Sequence, residues 1–150
     1  MLFSATCNYA LRAAIYIASY QQERPFIPIR EIAANLGISF HFLTKILQIL
    51  TQKGLMASFR GPHGGISLAK SADEISLLEI VRAVEGDDLF QRCLLGLEHC
   101  NDYNPCPLHS QWLSIRQRIQ DLLSQTSLGK LSRKVLKQGL RLRATGNLKA

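Results

Sequence analysis

Apolar positions in the first fifty residues recur with a helical period. In "YALRAAIYIASY", Leu11, Ala14, Ile15 and Ala18 fall at i, i+3, i+4 and i+7, one face of a helix. Pro25 in "QQERPF" breaks that helix. A shorter helix follows in "IREIAANLG", with Ile29, Ile32, Ala33 and Leu36 facing inward and Gly37 as its stop. Ser39 is placed to cap a longer helix, "FHFLTKILQILTQKG", which buries Leu43, Ile46, Leu47 and Leu50 and ends at Gly54. Two helices separated by "LGIS" have the spacing of a helix-turn-helix.

The pattern then changes. "GLMASFRGPHGGISLAK" holds two short β-compatible runs, Leu55–Phe59 and Ile66–Leu68, joined by "RGPHGG". Three glycines and a proline predict a tight, irregular hairpin tip. A hairpin after a helix-turn-helix makes a winged helix. Helical spacing returns in "SLLEIVRAVEG", with Leu77, Leu78, Val81 and Val84 inward and Gly86 as the stop. It returns again in "PLHSQWLSIRQRIQDLL", where Leu108, Trp112, Ile115, Ile119 and Leu122 alternate spacings of four and three. Such a seam can pack on its own domain, but its narrowness fits pairing with a second copy. The expected fold is mainly α: a winged helix-turn-helix over 1–86, a cysteine-rich loop over 87–107, a dimerisation helix over 108–128 and a basic tail over 129–150. The tail is expected to be partly disordered beyond about residue 140.

Charge sharpens this outline. The net charge is +7, unevenly spread: residues 1–70 carry seven basic and two acidic side chains, 71–128 four and nine, and 129–150 seven and none. A basic N-terminal half is a plausible footprint for nucleic acid. On the second helix of the helix-turn-helix, Ser39, His41, Thr44, Lys45 and Gln48 form a polar side suited to base edges and phosphates. Any surface helix has a polar face. It is the wing, with Arg60, His63 and Gly64 at its tip, that favours double-stranded DNA. A dimer would match a palindromic operator.

Other classes find less support. No stretch approaches the roughly 18 uninterrupted apolar residues of a membrane span. Arg12 lies inside the apolar part of the N-terminus with no basic segment ahead of it, which reads as an amphipathic helix rather than a secretory signal. A reducing cytoplasm is therefore the expected compartment, with no membrane partner and no small-molecule substrate. "GPHGG" is followed by a strand rather than a helix, and no paired carboxylates stand in a catalytic setting. No enzymatic activity is expected.

The remaining chemistry is concentrated in "CLLGLEHCNDYNPCPLH". Cys93, Cys100, Cys106 and His109 are separated by six, five and two residues. Structural zinc sites usually begin with a closer pair of cysteines, whereas wide spacing lets a loop wrap a larger body such as an iron–sulfur cluster. Pro107 is a natural first helical residue, which would put Cys106 and His109 at a positive helix end. Zinc and redox-active thiols stay open as alternatives, and a disulfide framework is the weaker reading. His99 competes with His109 but adjoins Cys100. Cys7 reads as a small buried side chain.

Taken together, "NYALRA", "IREIAANLGIS" with "FLTKILQIL", "GLMASFRGPHGGISLA" and "LLEIVRAVEG" resemble the IscR/NsrR/RirA group of bacterial winged-helix regulators, the Rrf-two family, over nearly the whole chain to about residue 135. The resemblance implies a homodimeric transcriptional regulator whose DNA binding depends on an iron–sulfur cluster, with 2Fe–2S favoured over 4Fe–4S. It implies Cys93, Cys100 and Cys106 as ligands, and His109 as the fourth in the IscR-like branch. The signal would be iron supply, nitric oxide, oxygen or redox state. In the NsrR-like branch an acid near the partner's N-terminus is the fourth ligand, where this sequence has Asn8. The first cysteine gap is one residue longer than usual, and Ile66 stands where an aromatic is common. Relatives without cluster cysteines suggest a cluster-free regulator that senses thiol oxidation or a partner protein, and a zinc-stabilised winged helix is a further alternative.

Overall fold

The computed structural model describes residues 2–144. Its central element is α1 (Ala5–Tyr20), capped by Ser4, whose Oγ accepts from the Cys7 amide at 3.1 Å. The sequence pattern predicts one narrow inward face. Instead Ala10, Ala13, Ala14, Tyr16 and Ile17 are all buried, while Leu11 and Ile15 are half-buried. The reason is position. Neighbours close on α1 from several sides, and its alanines let them approach.

The helix-turn-helix forms as its punctuation predicts. α2 (Ile29–Leu36) ends at Gly37, which adopts φ 67, and α3 (Phe40–Gln52) starts from Ser39, whose Oγ accepts from the Phe42 amide at 3.5 Å. The chain bends by 117° between the two helices, within the helix-turn-helix range of about 90–120°. Ile32, Ala33 and Leu36 meet Leu43, Ile46, Leu47 and Leu50 in one core, with Ile29 packed at its margin.

The wing is an antiparallel pair, β1 (Met56–Phe59) and β2 (Gly65–Leu68), in register from Met56↔Leu68 to Phe59↔Gly65. Ile27 extends it, exchanging both backbone hydrogen bonds with Ile66 at 3.0 and 2.9 Å. The approach is so close that a Cβ on Gly65 would collide with the Ile27 carbonyl. Ile66 itself is core.

α4 (Leu77–Glu85) opens with a reciprocal capping box between Ser76 and Glu79. It buries Leu78, Ile80 and Val81, with Leu77 and Val84 half-buried. α5 (His109–Gln125) begins two residues later than the Pro107 argument predicts, with Leu108 in the cap position. His109, the first residue of α5, thus lies at the helix start as expected, while Cys106 lies in the turn leading into it, closed by the His109 amide donating to the Cys106 carbonyl at 3.1 Å.

The segment after Gly129 departs furthest from the sequence reading. The sequence pattern predicts a basic, partly disordered tail there. Residues 128–138 are a helix, α6 (Leu128–Gln138), capped by Ser127 and ended by Gly139 at φ 61. Leu128, Gly129, Ser132 and Val135 are buried, a helical stripe masked by the surrounding lysines and arginines. α6 packs along α1, and Leu142 beyond it is also core. Residues 145–150, the rest of the expected tail, lie outside the described ones. Among the described residues no single helix is long and apolar enough to cross a membrane.

Candidate DNA interface and cysteine centre

α3 holds its apolar side in the core, so its opposite side is free. His41, Lys45 and Gln48 are exposed there, with Ser39 at the start of the helix. Thr44 is half-buried and its Oγ1 donates back to the Phe40 carbonyl at 2.8 Å, which leaves it less available than its neighbours. Arg60 and His63 are exposed at the wing tip. Gly64 shapes that tip, since its amide donates to the Gly61 carbonyl at 3.0 Å and a Cβ would strike the Phe59 carbonyl.

Between α3 and the wing lies an open groove lined by Thr44, Gln48, Ser58, Arg60 and Gly64. Its other wall is the start of α2 and carries Arg30, a residue the sequence reading passed over. The Arg30 guanidinium sits 4.3 Å from the centre of the Phe40 ring, which holds it beside the recognition helix. Its signal in the sequence was only a cation in the first turn of α2. The groove is thus lined by two cations, Arg30 and Arg60, together with hydroxyl and amide groups.

The loop between α4 and α5 gathers the sulfurs. The Sγ atoms of Cys93, Cys100 and Cys106 all lie within 4.8 Å of one another. Cys93 and Cys106 are 3.6 Å apart, and Cys100 is 3.4 Å from Nδ1 of His109. The four donors therefore form one group. On its other side His109 meets the Asp102 carboxylate, Nε2 to Oδ1, at 3.0 Å. With Nε2–H donating to Asp102, the hydrogen-bond network assigns Nδ1 as the free electron pair facing the sulfurs. His99, exposed and at φ 56, does not join the sulfur group.

Backbone amides tune the thiols. Donation from the Leu97 amide, with that of Leu95, outweighs burial and brings Cys93 down to about 7. The Cys106 amide likewise favours the Cys100 thiolate, at 3.4 Å, but burial and the neighbouring sulfurs outweigh it and leave Cys100 above its ordinary value. Cys7 is different. It is fully buried in a second core with Leu78, Val81 and Leu123, and burial, reinforced by Glu85, pushes its thiol up to about 12.

Trp112, expected only in the helix seam, and Arg116, which the sequence reading passed over, support this loop. Trp112 Nε1 and Arg116 Nη1 both donate to the Arg92 carbonyl, at 2.9 and 3.0 Å, and so pin the residue before Cys93 to α5. Neither this role nor that of Asp102 has a spacing signature. The structure also divides the seam. Trp112 and Ile119 turn toward their own chain, while Leu108, Ile115 and Leu122, each seven residues apart, are 36%, 49% and 65% exposed.

Two features now define the class: a helix-turn-helix with a wing and a basic groove is a DNA-binding winged-helix protein. Residues 3–134 match the Rrf2 model, described as an iron-dependent transcriptional regulator, and the chain belongs to that family. It is a regulator and not an enzyme. Similar proteins include the HTH-type transcriptional regulator IscR of Pectobacterium carotovorum, 35% identical over 131 residues, which span 87% of this chain and 79% of that one. Among solved structures, CymR, the global cysteine regulator of B. subtilis, superposes with a TM-score of 0.73 at 27% identity, covering 87% of this chain and 95% of that one. The fold of T. potens IscR is also shared, with a TM-score of 0.72 at 24% identity over 95% and 92%. The three thiols could hold a metal or an iron–sulfur cluster.

Proposed function

We propose that this chain is a cytoplasmic, homodimeric transcriptional regulator whose binding to a palindromic operator is set by an iron–sulfur cluster. The observation that carries the reading is the convergence of three thiols within 4.8 Å, with the His109 imidazole beside Cys100, in the loop that joins the winged helix to α5. The donor set fits by kind, since clusters take thiolate and accept imidazole. Cys93, Cys100, Cys106 and His109 would together hold such a cluster. Bound there, the cluster would supply an iron-dependent, redox-active and nitric-oxide-reactive centre.

The rest is the work of the chain. Residues 91–108 contain only turns and an isolated bridge, so the order of this loop depends heavily on its cysteines, His109 and the α5 anchors. Arg92 couples the loop to α5 through Trp112 and Arg116. Pairing of two α5 helices through Leu108, Ile115 and Leu122 would in turn set the spacing of two α3 helices. In the major groove, Ser39, His41, Thr44, Lys45 and Gln48 would read bases, while Arg30, Arg60 and His63 would meet phosphates or a narrow minor groove, with Gly64 shaping the wing tip.

Duplex binding by anaerobically purified protein, compared before and after iron removal with a chelator, tests the reading. A change in affinity or in preferred sequence supports it, and identical binding isotherms contradict it.

A second reading is favoured by one distance. Cys93 and Cys106 Sγ, 3.6 Å apart, are placed to close a disulfide if a peroxide removes two electrons and two protons. The same separation suits a single tetrahedral metal, whose thiolates at bonds of about 2.3 Å stand roughly 3.8 Å apart. Oxidation of iron-free, zinc-free protein that yields a Cys93–Cys106 disulfide and alters duplex binding would favour the thiol reading.

A further inference from the structure

Past α6 the chain returns to the DNA-reading unit. Gly139 ends the helix, and Leu142, 9% exposed, is buried in the same core as α1, α2 and α3. That anchor places the next residue, Arg143, against the turn between α2 and α3. A Cβ on Gly37 would stand 3.1 Å from Arg143 Nε and 3.5 Å from Nη2, so the guanidinium lies directly over the glycine. Gly37 precedes by two residues the Ser39 cap of the recognition helix. The basic segment therefore reaches the turn that leads into α3.

Two of its cations have no carboxylate partner among the described residues. The last acidic residue of the chain is Asp121. Among the described residues no carboxylate forms an ion pair with Arg141 or Arg143, in contrast to Arg133, which reaches Asp73 at 2.9 Å. Arg141 is exposed and makes a 3.4 Å bond to the Ala144 carbonyl. A cation held in place by a buried leucine, at the turn that precedes a recognition helix, is arranged for an anion outside the protein. At that place the anion is a DNA phosphate.

We propose that the segment 140–143 is a third DNA-contacting element beside α3 and the wing, with Arg143 as a phosphate contact at the helix-turn-helix turn and Arg141 as an auxiliary cation. The proposal rests on the assignment of α3 and the wing to the DNA face. It accounts for acid-free charge at the end of a chain whose middle is acidic.

The test is anisotropy of a labelled mixed-sequence duplex across a salt series, using the full chain. Arg143→Ala should lower the salt slope by about 1 and weaken binding roughly three- to tenfold at low salt, with Arg143→Lys close to wild type. Thermal midpoints should not move. Unchanged slope and affinity in Arg143→Ala would overturn the proposal. So would equal losses in the Ala and Lys variants with lowered midpoints, which would make Arg143 a packing residue. If Arg60→Ala lowers the slope and Arg143→Ala does not, this contact alone fails. If the wild type does not bind the duplex, the DNA face fails with it.

Discussion

At the scale of single residues, the fold constrains the interface through groups that carry no charge. Gly65 has no room for a side chain because the Ile27 carbonyl occupies the space, and that contact joins the wing to the segment before α2. Gly65→Ala should cost about 1–3 kcal/mol by forcing these strands apart, read from chemical denaturation. A change below the scatter of the measurement would mean that the wing gives way freely. Arg60, exposed at the tip, should behave oppositely. Arg60→Ala should leave stability unchanged but weaken every duplex and lower the salt slope by about 1, whereas an unchanged slope would remove it from the phosphate contacts. His109 is held from both sides, by Asp102 and by Cys100, so its orientation is set before any ligand arrives.

At the scale of elements, what was legible in the sequence was what carries local punctuation. Gly37, Ser39 and Gly54 mark the recognition helix, and its apolar residues bury as their spacing predicts. The wing was legible from its glycines. α6 was not, because a stripe of Leu128, Ser132 and Val135 among basic side chains resembles a solvated run until α1 covers it. The cysteines announced a centre by crowding, but the pairing of Cys93 with Cys106, and the braces from Trp112, Arg116 and Asp102, depend on how the loop closes. Spacing does not encode that closure. Leu128 is fully buried, so Leu128→Ala should destabilise the protein by about 2–5 kcal/mol in a urea titration. A cost near zero would return α6 to the status of an appended tail.

For the whole molecule, the proposed regulation needs little energy. A difference of about 1–3 kcal/mol between loop states would change operator affinity roughly five- to 150-fold. Such coupling requires two reading heads, and the face of α5 formed by Leu108, Ile115 and Leu122 is where they would join. Ile115→Asp with Leu122→Asp should convert a dimer to a monomer in analytical ultracentrifugation and leave the far-ultraviolet spectrum intact. A wild type that sediments as a monomer, or a double variant that remains dimeric, would place the dimer interface elsewhere or remove it.

On the proposed function, Cys93, Cys100, Cys106 and His109 together hold an iron–sulfur cluster. Its most direct test is assay of iron and acid-labile sulfide in protein purified without oxygen, with a visible spectrum of wild type and His109→Ala. About two iron and two sulfide per chain are expected, with a spectrum altered by the substitution. Protein that stays colourless and free of sulfide after anaerobic reconstitution, or that carries zinc alone, would contradict it.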